Sequence, residues 1–267
     1  MLLTKNKPLH LLAGAIATFN LLTLKLLIKN PSHLQTYPGR VFREYMSLVG
    51  QDQWASKDIL DLFPAEGGLR ITLEHLPGKG VGTPIDELAY LALITKAVQP
   101  KKVFEIGTFR GRTALNFALN APQDAVIYTL DLAPQEKEES LGQTYQTDAE
   151  IIRQAAPGED YRGKDGSEKI VQLYGDSTSF DFSPYYGEID LAFVDGAHHY
   201  QAVRSDTLNA LKMVKPGGYI VWHDFANFGD YNDVTRAILD TLPHEEVSEI
   251  ANTQLAIYQQ KRTNPHA

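Results

Sequence analysis

The sequence predicts an α/β fold: a doubly wound, mostly parallel seven-stranded sheet with a terminal antiparallel hairpin, plus an N-terminal helical segment. Three observations carry this prediction. From Ile85 onward, short apolar runs of strand type alternate with longer runs of helical period, the pattern of strand–helix–strand crossovers. The stretch Val103 to Gly111 reads Val-Phe-Glu-Ile-Gly-Thr-Phe-Arg-Gly, a strand buried on both faces that breaks into a glycine turn and a helix. Finally, only Ala251, Asn252 and Thr253 separate the last two strands, too few residues for a crossover, so one of them runs antiparallel.

With 267 residues, the chain has room for one substantial α/β domain and an appendage. A net charge of −8 and the absence of a basic stripe argue against a general nucleic-acid partner. With no cysteine, disulfides, thiol nucleophiles and cysteine-ligated zinc are excluded together, and a reducing, cytoplasmic setting is suited.

Residues 1–30 differ from all that follows. Lys5 and Lys7 precede an apolar run, Leu9 to Ile28, long enough to cross a bilayer as a helix but interrupted by His10, Asn20 and Lys25. This helix either contacts a membrane, with Lys25 reaching the headgroups, or packs on the catalytic domain or on a second subunit of a homo-oligomer. Residues 31–83, punctuated by prolines and glycines, read as a helical cap over the substrate side, with Trp54 to Phe63 as one of its helices. His33 and His75 stand without evident partners and are read as structural or exposed. Thr83 then caps a helix that has Pro84 at its first position, Asp86 and Glu87 in its first turn, and Val98 near its end.

After the central strand come helix Arg112 to Leu119, strand Val126 to Leu130, helix Tyr145 to Ala155 and strand Ile170 to Tyr174. A loop leads to strand Ile189 to Val194, helix Tyr200 to Val214, strand Tyr219 to Trp222 and helix Tyr231 to Leu242. Strands near Val247 to Ile250 and Gln254 to Tyr258 finish the sheet. The connection Ala133 to Lys169 is longer than it needs to be and reads as a solvated surface excursion, with closure of part of it over a ligand as the alternative.

A ligand on the turn after the central strand would meet the amide groups at the start of the next helix, which favours an anionic or strongly polar group. The spacing is Glu-x-Gly-x-x-x-Gly and not the Gly-x-Gly-x-x-Gly of a dinucleotide turn. In an open parallel sheet ligands bind beyond the carboxyl ends of the strands, and here each end carries an acid: Glu105, Asp131, Asp176, Asp195 and Asp224. Asp131, about twenty residues past the turn, is placed to accept from ribose hydroxyls. Asp176 and Ser177 can meet an adenine ring, or else bind their own backbone as turn residues.

The glycine turn resembles the first motif of the S-adenosylmethionine-dependent methyltransferases with a Rossmann-like fold. That resemblance implies cofactor contacts from Glu105, Gly107, Thr108, Phe109, Gly111, Thr113, Asp131, Asp176, Ser177 and Asp195, and a Rossmann-like domain over residues 84–267. The stretch Phe193-Val194-Asp195-Gly196-Ala197-His198-His199-Tyr200 carries an acid and an imidazole to one strand edge, where they can bind a metal or move a proton. With His223 and Asp224 on the neighbouring strand, this part is similar to metal-dependent O-methyltransferases of the catechol type and of macrolide sugars. In those families the acids matching Asp195 and Asp224 bind a divalent metal such as magnesium or manganese, and the residue matching His198 is the base.

Two positions depart from the families: His223 stands where the sugar enzymes have Glu, and Phe225 where the catechol type has Asn. If His223 is the third ligand, manganese, zinc or iron suit the site better than magnesium; if not, two carboxylates hold the ion or His198 works without one. His199 is an alternative base. The expected activity is therefore methyl transfer to a hydroxyl of a small molecule, a sugar or an aromatic ring. The rivals are metal-free methylation of nitrogen or carbon, a membrane-associated cofactor-binding protein without catalysis, and a nicotinamide oxidoreductase. Trp54, Phe225, Phe228 and Tyr231 either line the acceptor pocket or belong to the core.

Overall fold

A computed structural model describes residues 54–64, 68–74, 82–133, 146–227 and 232–261. The apolar run from Leu9 to Ile28, His33, His75, Phe228 and Tyr231 lie outside these residues. Among the described residues no helix is long and apolar enough to cross a membrane.

The elements in chain order are β1 (Ala55–Lys57), α1 (Ile59–Leu62), α2 (Ile85–Val98), β2 (Lys102–Ile106), α3 (Arg112–Asn120), β3 (Val126–Asp131) and α4 (Gln146–Gln154). They continue with β4 (Ile170–Tyr174), β5 (Ile189–Val194), α5 (Tyr200–Met213), β6 (Val214–Trp222), α6 (Asn232–Leu239), β7 (Ser248–Ile250) and β8 (Ala256–Gln259). One eight-stranded sheet has the order β1-β7-β8-β6-β5-β2-β3-β4. All its pairings are parallel except those of β8, which runs antiparallel to both β6 and β7. The expected hairpin is therefore present, and the expected count of seven strands is corrected to eight.

The additional strand replaces the helix expected over Trp54 to Phe63. Ala55, Ser56 and Lys57 pair with Ser248, Glu249 and Ile250, and only Ile59–Leu62 is helical, capped by the Asp58 side chain on Leu60 N at 2.8 Å. The sheet thus begins before residue 84. Trp54 packs edge-on against Phe225, 5.1 Å between ring centres, and donates to Glu249 at 3.2 Å. Phe225 is fully buried. Both aromatics belong to the core and not to an acceptor pocket.

Alternation along the central strands builds two cores. Phe104 and Ile106 of β2 and Ala192 and Val194 of β5 face Val203, Ala210 and Met213 of α5 and Ala237 and Ile238 of α6. Val103, Leu191 and Phe193 face the other way, onto Leu91 and Ile94 of α2 and Leu115, Phe117 and Ala118 of α3. Because both faces are covered, the strands read as continuous apolar runs. Each fully buried large side chain contributes about 1.5–3 kcal/mol, which fixes the register that aligns the strand ends.

One helix start differs from expectation. Pro84 is itself the residue before α2 and has no side-chain cap; the Thr83 hydroxyl lies instead 3.2 Å from that of Thr113. On α3, Asn116 and Asn120 turn inward and each clamps an extended residue, Glu74 and Thr72, through both its amide groups at 2.8–3.1 Å. The connection before β4 is corrected as well: Asp160 and Tyr161 are buried, and Asp160 N donates to Arg110 O at 2.8 Å. Part of the supposed surface excursion therefore packs on the glycine turn.

Candidate active site

The turn after β2 needs its glycine. Gly107 has φ +98, and a Cβ there would stand 2.0 Å from the carbonyl oxygen of Asp195. Phe109, also at positive φ (+51), donates its amide to Asp131 Oδ2 at 2.7 Å, while Leu132 N donates to Asp131 Oδ1 at 2.8 Å. Such strain in a non-glycine residue persists only where its surroundings hold it, and here Asp131 does so. Gly111, at φ +92, opens α3 and lies against the Tyr161 ring.

A line of hydrogen bonds runs under the turn. Tyr161 Oη donates to Gln172 Oε1 (2.8 Å), Gln172 Nε2 to Thr108 Oγ1 (3.0 Å), and the Thr108 and Thr129 hydroxyls lie 2.7 Å apart. The Thr129 hydroxyl donates to Glu105 Oε2. Since that uses its one hydrogen, Thr108 donates to Thr129, and the whole chain of donors ends on Glu105. Glu105 Oε1 is buried without a partner. Burial pushes this carboxyl well above its usual range, against the Thr129 bond, with Asp195 and Asp131 adding to the rise. A cationic ligand beside it would relieve that cost. The Thr108 and Thr113 side chains, both expected at the cofactor, lie within hydrogen-bond distance of the Thr129 and Thr83 hydroxyls.

At the ends of β5 and β6 four of the expected residues converge. The ring of His198 lies between two buried carboxylates, with Nδ1 2.7 Å from Asp148 Oδ1 and Nε2 3.0 Å from Asp224 Oδ2. His223 Nδ1 lies 2.9 Å from Asp224 Oδ2 and 3.5 Å from Asp195 Oδ1; its Nε2 lies 2.8 Å from Glu87 Oε2. Glu87 Oε1 in turn accepts from Gln254 N at 2.6 Å, and Asn227 donates to Asp224 Oδ1 at 3.0 Å. His199 occupies a different place: it caps α5 by accepting from Ala202 N at 3.3 Å. Of the two adjacent histidines, His198 is the one that enters the acidic cluster.

The charges in this cluster are strongly coupled. Burial lowers the His198 pKa, but the bonds to Asp148 and Asp224 outweigh it and carry it up to about 10. Burial raises the Asp224 carboxyl, yet the two imidazoles hold it well below the usual range. Asp195, with 23% of its side chain exposed, is pushed up to about 6 by burial against the pull of His223. One ligand atom each from Asp195, His198 and Asp224 lies within 4.8 Å of the others, a set of two carboxylates and an imidazole able to hold a metal ion. The expected set had His223 in place of His198.

Asp176 stands apart from this group. It is exposed, and its Oδ1 accepts from both the amide and the hydroxyl of Thr178, at 2.8 and 2.7 Å, as a turn residue does. Near its neighbour Ser177 lies Asp206, a fully buried acid of α5 whose carboxyl burial carries up to about 7 and whose oxygens have no hydrogen-bond partner among the described residues.

Residues 104–225 match the family of methyltransferase domains. Over those residues the chain is similar to a methyltransferase domain. The match starts inside β2 and ends one residue past Asp224, so it encloses the glycine turn, Asp131, Asp195, His198 and His223. Glu87 lies outside it. The chain is similar to caffeoyl-CoA O-methyltransferase 2 of Zea mays, 30% identical over 56% of this chain and 51% of that protein. It is also similar to flavonoid 3′,5′-methyltransferase of Vitis vinifera, 28% identical over 56% of this chain and 57% of that one. The chain thus spans about half the length of the curated relatives it matches. Among solved structures, an S-adenosylhomocysteine-bound methyltransferase of Podospora anserina is 16% identical over 68% of this chain and 80% of that one, with a TM-score of 0.49.

Sequence reasoning missed Asp148, Glu87 and Asn227. Asp148 lies 50 positions from His198 and Glu87 lies 136 from His223, both on helices whose acids read as surface residues. Only for Glu87 was there a signal, since it stands one turn into a helix beside the central strand.

Proposed function

We propose that the methyltransferase domain moves the methyl group of S-adenosylmethionine to a hydroxyl oxygen of a small molecule. The observation that carries this is the His198 imidazole, buried between Asp148 and Asp224 at the strand edge beside the glycine turn. Asp148 fixes the ring through Nδ1 and aims Nε2 at the place where Asp195 and Asp224 meet, as a buried carboxylate does for a catalytic histidine. The sulfonium supplies the reactive methyl group, so the protein needs only to align the acceptor and take its proton. Asp131 would accept from the ribose hydroxyls, and Glu105 and Asp195 suit the cationic end of the cofactor.

The residues present also fit a divalent cation, because Asp195 and Asp224 bring two carboxylates together while His198 Nε2, beside them, is left to take the acceptor's proton. Such an ion would lower the pKa of an acceptor hydroxyl. With Asp224 turned to a cation, His198 Nε2 would be released from that carboxylate, lose part of what holds its pKa near 10, and be able to accept a proton. The names of the relatives favour an aromatic hydroxyl as acceptor. The described parts of residues 31–83, lying on the sheet edge and on α3, are the natural place for a cap on the acceptor side.

The test is calorimetric titration with S-adenosylhomocysteine, with and without manganese. Saturable one-site binding, strengthened or accompanied by manganese uptake that Asp224→Asn removes, is expected. Absence of binding to a folded sample would sink the proposal.

A further inference from the structure

We infer that Arg112 receives the carboxylate of the cofactor's amino-acid end and so selects a methionine-bearing nucleoside over a bare thionucleoside. The inference rests on the S-adenosylmethionine reading above. Three acids stand at the ends of β2, β3 and β5 beside the turn: Glu105, Asp131 and Asp195. They suit the sulfonium, the ammonium and the ribose hydroxyls, and they repel the one anionic group of the cofactor. A carboxylate entering there needs a cation.

Two arginines flank the turn, and they differ. Arg110 is paired, with Nη2 3.1 Å from Glu159 and 3.3 Å from Asp160. Arg112, among the described residues, has no carboxylate within ion-pair distance. It is the first residue of the nine-residue helix α3, half-buried, with Nη2 donating to Thr83 O at 2.9 Å and Nε buried without a partner. Burial lowers its pKa, which Asp160 and Asp195 oppose from a distance. A half-buried guanidinium with donors to spare is costly, and a bound carboxylate offsets that cost.

Its surroundings suit the same ligand. The Thr83 and Thr113 hydroxyls lie 3.2 Å apart, both buried. The amide groups at the start of α3 are free of helical partners. Gly82 leaves room for the guanidinium, since a Cβ there would stand 2.4 Å from Arg112 Nη2. Thus residues 82–83 and 112–113 form a small basic corner in an acidic site.

The experiment compares the full chain with Arg112→Gln and Arg112→Lys, titrated calorimetrically with S-adenosylhomocysteine and with 5′-methylthioadenosine, which lacks the amino-acid end. Arg112→Gln is expected to weaken S-adenosylhomocysteine about 10- to 100-fold, the loss of a charge-assisted pair, and to leave 5′-methylthioadenosine within about twofold. Arg112→Lys, which keeps the charge, is expected to fall between the two for the first ligand and to match the parent for the second. Unchanged affinity for S-adenosylhomocysteine in Arg112→Gln, or equal weakening of both ligands in either variant, would overturn the role of Arg112 alone. If the parent chain bound neither ligand, both this role and the cofactor reading would fall.

Discussion

His198→Ala is expected to lower turnover about a thousandfold and to leave the affinity for S-adenosylhomocysteine within about twofold. General-base catalysis by a positioned side chain contributes roughly 10²- to 10⁴-fold, and His198 is the imidazole whose Nε2 faces the meeting point of Asp195 and Asp224. Its other nitrogen is held by Asp148, so the ring has one orientation. His199 caps a helix and cannot substitute. Steady-state rates and calorimetry on the same preparation check this. Turnover near the parent rate would remove His198 from the mechanism, and joint loss of rate and binding would make it a structural residue.

The second large effect is structural. Gly107→Ala is expected to destabilise the fold by more than about 3 kcal/mol and to abolish cofactor binding, because the new methyl group would lie 2.0 Å from a backbone oxygen that cannot move alone. Asp195 N also donates to Ile106 O at 2.8 Å, so displacing that oxygen disturbs the β2–β5 edge where the site is built. Gly163 is the control. It has φ +72 but open space around it, and Gly163→Ala should cost only the backbone penalty, about 1 kcal/mol. Denaturant unfolding measures both, and equal midpoints for the two variants would contradict the close approach at Gly107.

The fold was legible where burial is two-sided. The limits of β5 agree with the apolar run Ile189 to Val194, because helices cover both faces and turn residues bound the run; those of β4, Ile170 to Tyr174, agree too, although it is a partly exposed edge strand. β1 was not legible. Ala-Ser-Lys is exposed throughout and has no period; it is a strand only because β7 offers an edge and Ala251 N donates to Lys57 O at 2.9 Å. The same contrast holds in the site. Asp131, Asp195 and Asp224 could be found because the topology of a parallel sheet brings strand ends together. Asp148 could not, since a buried acid on a helix looks like a solvated one until its partner is in place. Asp176 shows the converse, an acid at a strand end whose carboxylate is spent on its own turn.

The most direct test of the central claim is transfer of an isotopically labelled methyl group from S-adenosylmethionine to a panel of small aromatic diols and sugars, with manganese and then with a chelator. The product is located by mass spectrometry and by the chemical shift of the new methyl group. Methylation at oxygen, lost in His198→Ala, is the predicted result. Methylation at nitrogen or carbon with His198 dispensable would contradict it.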